Sequence, residues 1–160
     1  MIRSKGGKKM EWATLPLKRY AEFTGRSRRK EYWMYVLLLI VVGFVIGIIE
    51  AVLGLTHMVG PYGPISALFA LATFVPSLAV GVRRLHDTNR SGWWLLIGYG
   101  PLILGLVLMA TGMLQFTMIL MLLALLGFVV LLVFMVLEGT KGPNQYGADP
   151  KGTEGAAAAA

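Results

Sequence analysis

The sequence predicts an all-α membrane protein: a bundle of four transmembrane helices with both termini in the cytoplasm and a basic interfacial segment at the N-terminus. From Tyr32 to Leu137 every Lys, Arg and Asp lies in one short loop, Arg83 to Arg90, and the only other charged residue is Glu50. Four apolar stretches of about 18 to 24 residues remain, each long enough to cross a hydrocarbon core of about 30 Å. They are Trp33 to Leu53, Ile65 to Val82, Trp93 to Ala110 and Leu114 to Leu137.

The basic residues are distributed unevenly among the connections. Ten precede the first apolar stretch, three lie in the Arg83 to Arg90 loop and two lie in the tail, whereas Gly54 to Pro64 and Thr111 to Met113 contain none. Because Lys and Arg accumulate in cytoplasmic loops, both termini and the loop between the second and third spans are expected in the cytoplasm.

The composition leaves no room for a separate soluble domain. The chain has 160 residues, of which 56% are hydrophobic. We therefore expect a basic arm at residues 1–31, a membrane domain at 32–138 and a cytoplasmic tail at 139–160. The net charge of +7 lies beside the spans, where anionic lipid headgroups are nearer partners than nucleic acid.

The chain contains no cysteine, which excludes disulfides and thiolate chemistry. The terminal Ala156 to Ala160 run is left out of the fold prediction.

The arm from Glu11 to Arg26 mixes aromatic, aliphatic and basic residues. Such a segment suits the membrane surface, with aromatic rings at the headgroup level and basic groups toward the phosphates, although an irregular basic arm is an equal alternative. Pro16 is expected to limit any helix to its own C-terminal side. Tyr32, Trp33 and Tyr35 then mark the entry to the first span as an aromatic belt.

The first span carries a small-xxx-small pair, Gly43 and Gly47, which favours close approach of another helix. Packing within the chain explains this pair better than dimerisation does. Glu50 is placed roughly 25 Å along the span, near the outer interface, where a carboxylate can reach water. The alternative is a proton-carrying carboxylate, which would be expected deeper in the bundle.

Proline and glycine punctuate the remaining spans. Pro76 removes the N–H that would pair with the Ala72 carbonyl, so a kink is expected there, with relief from Thr73 or Ser77. Gly98, Gly100 and Pro101 predict a bend or break in the third span. The fourth span has one small notch, Gly127, and is expected to face lipid most extensively.

Three polar clusters are predicted at the same membrane face. They begin at Gly25, Arg83 and Glu138. In a bundle with both termini in the cytoplasm, they come together at the cytoplasmic face. Opposite charges near a low-dielectric boundary favour pairing, which would lock helix ends and loops. The alternative is a site for a lipid phosphate, built from the arginines. The candidate residues of this charge cluster are Arg26, Arg29, Glu31, Arg83, Arg84, His86, Asp87 and Glu138.

Candidates for catalysis are few. His86 and Asp87 are the only adjacent acid–base residues, and the other histidine, His57, falls in the opposite connection. One usable histidine is a poor basis for a metal site or a hydrolase triad. We predict no catalytic residue, no metal site and no cofactor.

The three clusters together resemble a known group of bacterial inner-membrane proteins, the domain-of-unknown-function family 805. The resemblance covers nearly all of Leu15 to Pro150 and implies a small inner-membrane protein with several spans, without implying a reaction or a substrate. It is carried by Phe23-Thr24-Gly25-Arg26 with Arg29, Glu31, Tyr32 and Trp33, by Arg83-Arg84-Leu85-His86-Asp87 with Ser91-Gly92-Trp93-Trp94, and by Gly139-Thr140 with Gly142, Asn144, Tyr146-Gly147 and Asp149-Pro150.

The resulting hypothesis is a non-enzymatic accessory or scaffold protein of the inner membrane. Its charged cytoplasmic face would bind membrane lipids or another membrane protein in a larger complex, with no nucleic acid involved. The alternative is a small oligomeric transporter or channel, which would require assembly around Glu50 because the spans are otherwise too apolar. An enzyme acting on lipid through His86 and Asp87 is the third possibility. The oligomeric state is not predicted.

Overall fold

The computed structural model describes residues 5–59 and 62–152, and this part of the chain is helical, without strands. Four segments are long and apolar enough to cross a membrane, which confirms the predicted all-α class and the number of candidate spans. Arg3 and the Ala156 to Ala160 run lie outside the described residues. The helices are α1 (Lys5–Lys18), α2 (Arg29–Val52), α3 (Pro64–Asp87), α4 (Leu96–Met109) and α5 (Leu114–Val136), and a 3-10 turn at Gly92–Leu95 leads into α4.

The chain forms two compact units. The N-terminal unit contains the described residues up to Phe23 together with Lys30–Val80, and the C-terminal unit contains Thr24–Arg29 and the described residues from Gly81 onward. Helix α3 contributes to both, because its first four turns belong to the former and its last residues to the latter.

Helix α1 corrects the prediction for the basic arm. It ends at Lys18 with Pro16 in its last turn, so the helix lies mostly on the N-terminal side of this proline. Proline removes one N–H and crowds the preceding turn, and near the end of a helix this leaves the upstream hydrogen bonds intact. Trp12 of this helix lies under the ammonium group of Lys30, whose Nζ is 5.4 Å from the ring centre.

Helix α3 continues without a break through Pro76. The Ala72 carbonyl, which this proline leaves without its usual N–H donor, accepts a 2.8 Å hydrogen bond from the hydroxyl of Tyr20. The sequence pointed instead to Thr73 and Ser77, but their hydroxyls donate to the carbonyls of Phe69 and Thr73, respectively. A side chain of the arm therefore repairs the defect in the span.

The small-xxx-small pair in α2 does not make the predicted close contact throughout. A Cβ built at Gly43 would meet a carbon of Phe69 at 3.9 Å, which is ordinary van der Waals contact. At Gly47, apart from the surrounding backbone of α2 itself, no atom of the described residues lies within 4 Å of such a Cβ, so no other helix approaches closely there. Larger side chains hold α2 and α3 together instead: the Tyr35 hydroxyl lies 3.3 Å from that of Ser77.

Close helix packing occurs in the C-terminal unit, between α4 and α5. A Cβ at Gly127 would overlap the carbonyl of Ile97, and one at Gly98 would lie 3.0 Å from the ring of Phe128. Pro101 lies inside α4, so the Ile97 carbonyl lacks its intrahelical donor and faces the bare Cα of Gly127 instead. Of the bend or break predicted near Pro101, the break is absent, because α4 continues through this proline; the irregular turn comes earlier, at Gly92–Leu95.

Candidate functional site

The polar clusters of the C-terminal unit meet where α3 and α5 end, in what we call the charged end: Thr24–Arg29, the last turn of α3 and the segment from Glu138 to Pro150. Main-chain hydrogen bonds join the three segments. Ser27 N–H donates to the Arg83 carbonyl over 3.0 Å, and Thr140 N–H donates to the Asp87 carbonyl over 2.8 Å. The predicted convergence of these clusters is therefore present within this unit.

A buried ion network lies at its centre. The Asp87 carboxylate accepts from Arg84 Nη1 over 2.5 Å and from Arg26 Nε over 3.0 Å. Arg26, Arg84 and Asp87 are 6%, 0% and 3% exposed. The sequence led us to expect arginines of this cluster to pair with its acids, and the structure has such a pair in Arg84 and Asp87. Removing Asp87 would leave two buried guanidinium groups without their shared carboxylate, and removing either arginine would leave Asp87 with one cation instead of two.

The arginines of this network also bind main-chain carbonyls. Arg26 donates to the carbonyls of Thr140 (2.6 Å) and Gly142 (2.7 Å). Arg84 donates to the carbonyls of Met135 and Leu137 at the end of α5. The last carbonyls of a helix have no intrahelical donors and carry partial negative charge, so a guanidinium is a favourable cap.

The segment 139–150, which we call the C-terminal loop, is held in one shape by its own polar groups as well. Asn144 donates from Nδ2 to the His86 carbonyl and accepts from Tyr146 N–H, each over 2.9 Å. Asp149 accepts from Gly142 N–H over 2.9 Å. Gly142 and Gly147 take φ values of 75° and 134°, where a side chain would be strained.

His86 supports the same loop. Its ring is stacked on that of Tyr146, with centres 3.8 Å apart and planes 2° from parallel. Its Nδ1 lies 3.1 Å from the Gly25 carbonyl, an acceptor, so this nitrogen carries the proton. The imidazole therefore contacts the loop and the Thr24–Arg29 segment, while the neighbouring Asp87 faces the arginines.

Exposed ion pairs surround the network. Glu138 lies 3.3 Å from Arg29 and 2.9 Å from Lys151, and these side chains are 58%, 44% and 51% exposed. The hydrogen bond from Lys151, with the nearby positive charges, holds the pKa of Glu138 below its ordinary value. Exposed pairs of this kind stabilise a protein only slightly.

Two of the predicted cluster residues have different surroundings. Arg83 is fully buried in the C-terminal unit, whereas Glu31 is buried in the N-terminal unit, in the first turn of α2. Arg26, Arg83 and Arg84 do not form an open phosphate site, because all three are buried. In addition, Arg26 and Arg84 already donate to Asp87 and to main-chain carbonyls.

Comparison with known proteins agrees with this arrangement of motifs. The family described as "Protein of unknown function (DUF805)" matches residues 20–148. The chain belongs to the DUF805 family. Inner membrane protein YhaI of Escherichia coli K12 is 44% identical over 142 residues, covering 89% of this chain and 97% of that protein. Inner membrane protein YhaH of the same strain is 37% identical with similar coverage, 89% and 98%. No solved structure matches.

Sequence reasoning missed one charged group of this DUF805 protein. Arg28, 8% exposed, donates from its guanidinium to the Pro150 carbonyl and so holds the far end of the C-terminal loop. The signal was the spacing of Arg26 and Arg28, because residues two apart in an extended segment point to the same side. The partner, a carbonyl, has no signature in the sequence.

The acid–base pair suggested for catalysis is not assembled. His86 and Asp87 are consecutive residues at the end of α3, and consecutive helical residues do not face each other. The described residues of this DUF805 chain contain no group of three or more His, Cys, Asp or Glu side chains that could hold a metal ion.

Glu50 has a structural partner within the N-terminal unit. Its carboxylate accepts from the N–H groups of Ile65 (2.7 Å) and Ser66 (2.9 Å) and from the Ser66 hydroxyl (2.5 Å). These groups belong to the first turn of α3, where N–H groups have no intrahelical acceptor and a negative charge is stabilised. Glu50 thus caps α3 from the end of α2.

Proposed function

We propose that this protein is a non-enzymatic accessory or scaffold protein of the bacterial inner membrane, with both termini in the cytoplasm, and that its C-terminal loop docks another membrane protein. The apolar helices and the relatives named inner membrane proteins support the location. The basic residues on one side of the spans support the orientation.

The observation that carries the docking proposal is a surface loop whose shape is fixed from below. No residue from Val136 to Gly152 is buried, yet the loop is held by Arg26, Arg28, Asn144 and the His86 ring. Fixing an exposed loop in advance lowers the entropy lost when a partner binds it. Loops on a rigid framework are where proteins commonly place recognition.

A protein partner suits this loop better than a lipid phosphate does. The buried guanidinium groups already donate to Asp87 and to main-chain carbonyls, so their role is to hold the loop in place rather than to contact a ligand. What the loop presents outward is Lys141, Pro143 and Gln145, a small mixed surface rather than a cationic pocket.

The test is recovery of a membrane partner with the full-length protein from gentle detergent. The pair of changes Lys141→Glu and Gln145→Ala alters only the exposed loop surface and is expected to reduce the co-purified partner at least several-fold. Lys18→Glu, the same charge reversal on an exposed residue of α1, is the matched control and should leave recovery unchanged. Equal losses from both variants, or no loss from the loop variant, would contradict docking through the loop.

The transporter hypothesis depends on Glu50 as a mobile proton carrier. Its three hydrogen bonds to the start of α3 favour a capping role instead. A proton-dependent flux in reconstituted vesicles that is lost in Glu50→Gln, with unchanged partner recovery in the loop variant, would favour transport over the scaffold role.

A further inference from the structure

Arg90, Phe134 and Trp94 form a cluster of one cation and two aromatic rings in the C-terminal unit, and none of the three belongs to the C-terminal loop. We propose that this group binds the phosphate of a membrane phospholipid headgroup. The proposal does not depend on protein docking through the loop.

The main chain of Arg90 is fixed by the way α3 ends. Asn89 adopts a left-handed conformation, with φ of 57°. Its N–H donates to the His86 carbonyl over 3.0 Å, and Arg90 N–H donates to the Leu85 carbonyl over 2.9 Å. This pair of bonds is the Schellman motif, which closes a helix and sets the direction of the next residue.

The side chain of Arg90 is positioned as well. Its guanidinium carbon lies 4.2 Å from the centre of the Phe134 ring, and Nη1 donates to the Thr88 carbonyl over 3.1 Å. Trp94 packs edge-to-face with the same Phe134 ring, and the two ring centres are 5.3 Å apart. A planar cation stacked on an aromatic ring is held in one orientation and still has donors in its plane.

Arg90 retains capacity for an anion. A guanidinium has five N–H donors, and within the described part of the chain one hydrogen bond from this side chain is present. The residue is partly exposed, unlike the buried Arg26 and Arg84. A phosphate oxyanion is the ligand that matches the fork of donors in geometry and charge.

The surroundings select a lipid as the source of that phosphate. Trp93 is 77% exposed and Trp94 is 43% exposed, and both lie where the third candidate span begins. Phe134 lies in the last turn of α5, at the same end of the α4–α5 pair. Exposed tryptophans at the ends of spans lie at the headgroup level, where phosphodiesters are concentrated.

The experiment is a titration of the full-length protein, purified in mild detergent, with a short-chain phosphatidylglycerol, read by native mass spectrometry. Arg90→Gln is expected to weaken binding of the first lipid about tenfold, roughly the effect of losing one charge-assisted hydrogen bond. Phe134→Leu, which keeps an apolar side chain and removes the ring under the cation, is expected to weaken it in the same direction. Lys151→Gln removes one charge from an exposed residue outside the C-terminal loop and is expected to change binding less than about twofold.

The controls separate the possible sources and a loss of fold. The unfolding temperature of each variant is measured first, and binding is compared only between variants whose unfolding temperatures agree. If Arg90→Gln is less stable, Arg90→Lys takes its place, because it keeps the charge but lacks the planar fork, and it is expected to weaken binding as well. Equal weakening by Lys151→Gln would mean that net charge alone attracts lipid and would overturn the proposal. Displacement of the lipid by millimolar inorganic phosphate, with the same dependence on Arg90, would overturn the lipid as the source.

Discussion

At the scale of single residues, burial separates two kinds of ion pair in the same unit. The Arg84–Asp87 pair has little contact with water, whereas the Arg29–Glu138 pair is about half exposed. Water screens an exposed pair, so the attraction between its members is small. In the buried pair each charge depends on the other because neither can be solvated when its partner is removed.

We therefore expect strong coupling between Arg84 and Asp87. In a double-mutant cycle of Arg84→Ala and Asp87→Ala, the coupling free energy of unfolding should exceed the ~0–1 kcal/mol of an exposed pair. The matched cycle of Arg29→Ala and Glu138→Ala should stay within that range. The measurement is reversible unfolding in mixed detergent micelles. Additive effects of Arg84 and Asp87 would show that the arginine is stabilised chiefly by the carbonyls at the end of α5.

The Tyr20 hydroxyl gives a second prediction at this scale. Tyr20→Phe removes the donor to the Ala72 carbonyl, so it should destabilise the protein by about 1 kcal/mol, the usual net worth of a hydrogen bond. In a Pro76→Ala background position 76 has an N–H for that carbonyl, and the same Tyr20→Phe change should then cost less. An equal cost in both backgrounds would mean that the hydroxyl acts independently of the proline.

At the scale of elements, the helices followed from hydropathy because apolar length alone determines a candidate span. The contacts between them did not. Gly47 satisfies the same small-residue pattern as Gly43, yet it has open space beside it, while at Gly127 a built Cβ would overlap the backbone of another helix. A glycine is permissive for close approach, and which glycine is used depends on the direction of the helix face, which is a tertiary property.

Gly127→Ala tests the α4–α5 contact. The added Cβ would overlap the Ile97 carbonyl, a main-chain atom that cannot rotate away, so we expect a loss of about 1–3 kcal/mol in unfolding free energy. Gly100→Ala is the control, because outside the surrounding backbone of α4 no described atom lies within 4 Å of the added Cβ. Comparable unfolding free energies for the two variants would show that the helices separate without cost to accommodate the methyl group.

The charged end shows the same division between what the sequence predicts and what it does not. Opposite charges near a membrane boundary predicted that arginines of the cluster pair with its acids, because a charge favours an opposite charge, but they left open which acid pairs with Arg84. The bonds from Arg26 and Arg28 to carbonyls of the C-terminal loop could not be predicted, since every residue has a carbonyl. The prediction that any helix lies C-terminal to Pro16 was wrong for a related reason: a proline limits a helix differently when it lies in the last turn, and the end of the helix was not known from the sequence.

At the scale of the whole molecule, the charge asymmetry predicts the orientation in the membrane. Reporters fused after Asn89 or after Pro150 are expected to give a cytoplasmic signal, and one inserted near Tyr62 a periplasmic signal. As a control for correct membrane insertion, each reporter is also inserted into the whole chain, so that the third and fourth spans are still present. A periplasmic signal at Asn89 would contradict both the four-span topology and the cytoplasmic position of the charged end.

The two prolines within the spans have a consequence for the order of synthesis. The donor that serves the carbonyl freed by Pro76, the Tyr20 hydroxyl, is made before α3, so it is available when that helix leaves the ribosome. The residue that faces the carbonyl freed by Pro101, Gly127, is made later, as part of α5. A bare carbonyl in hydrocarbon is costly. Helix α3 can therefore enter lipid as a finished span, whereas α4 is complete only once α5 has emerged to pair with it.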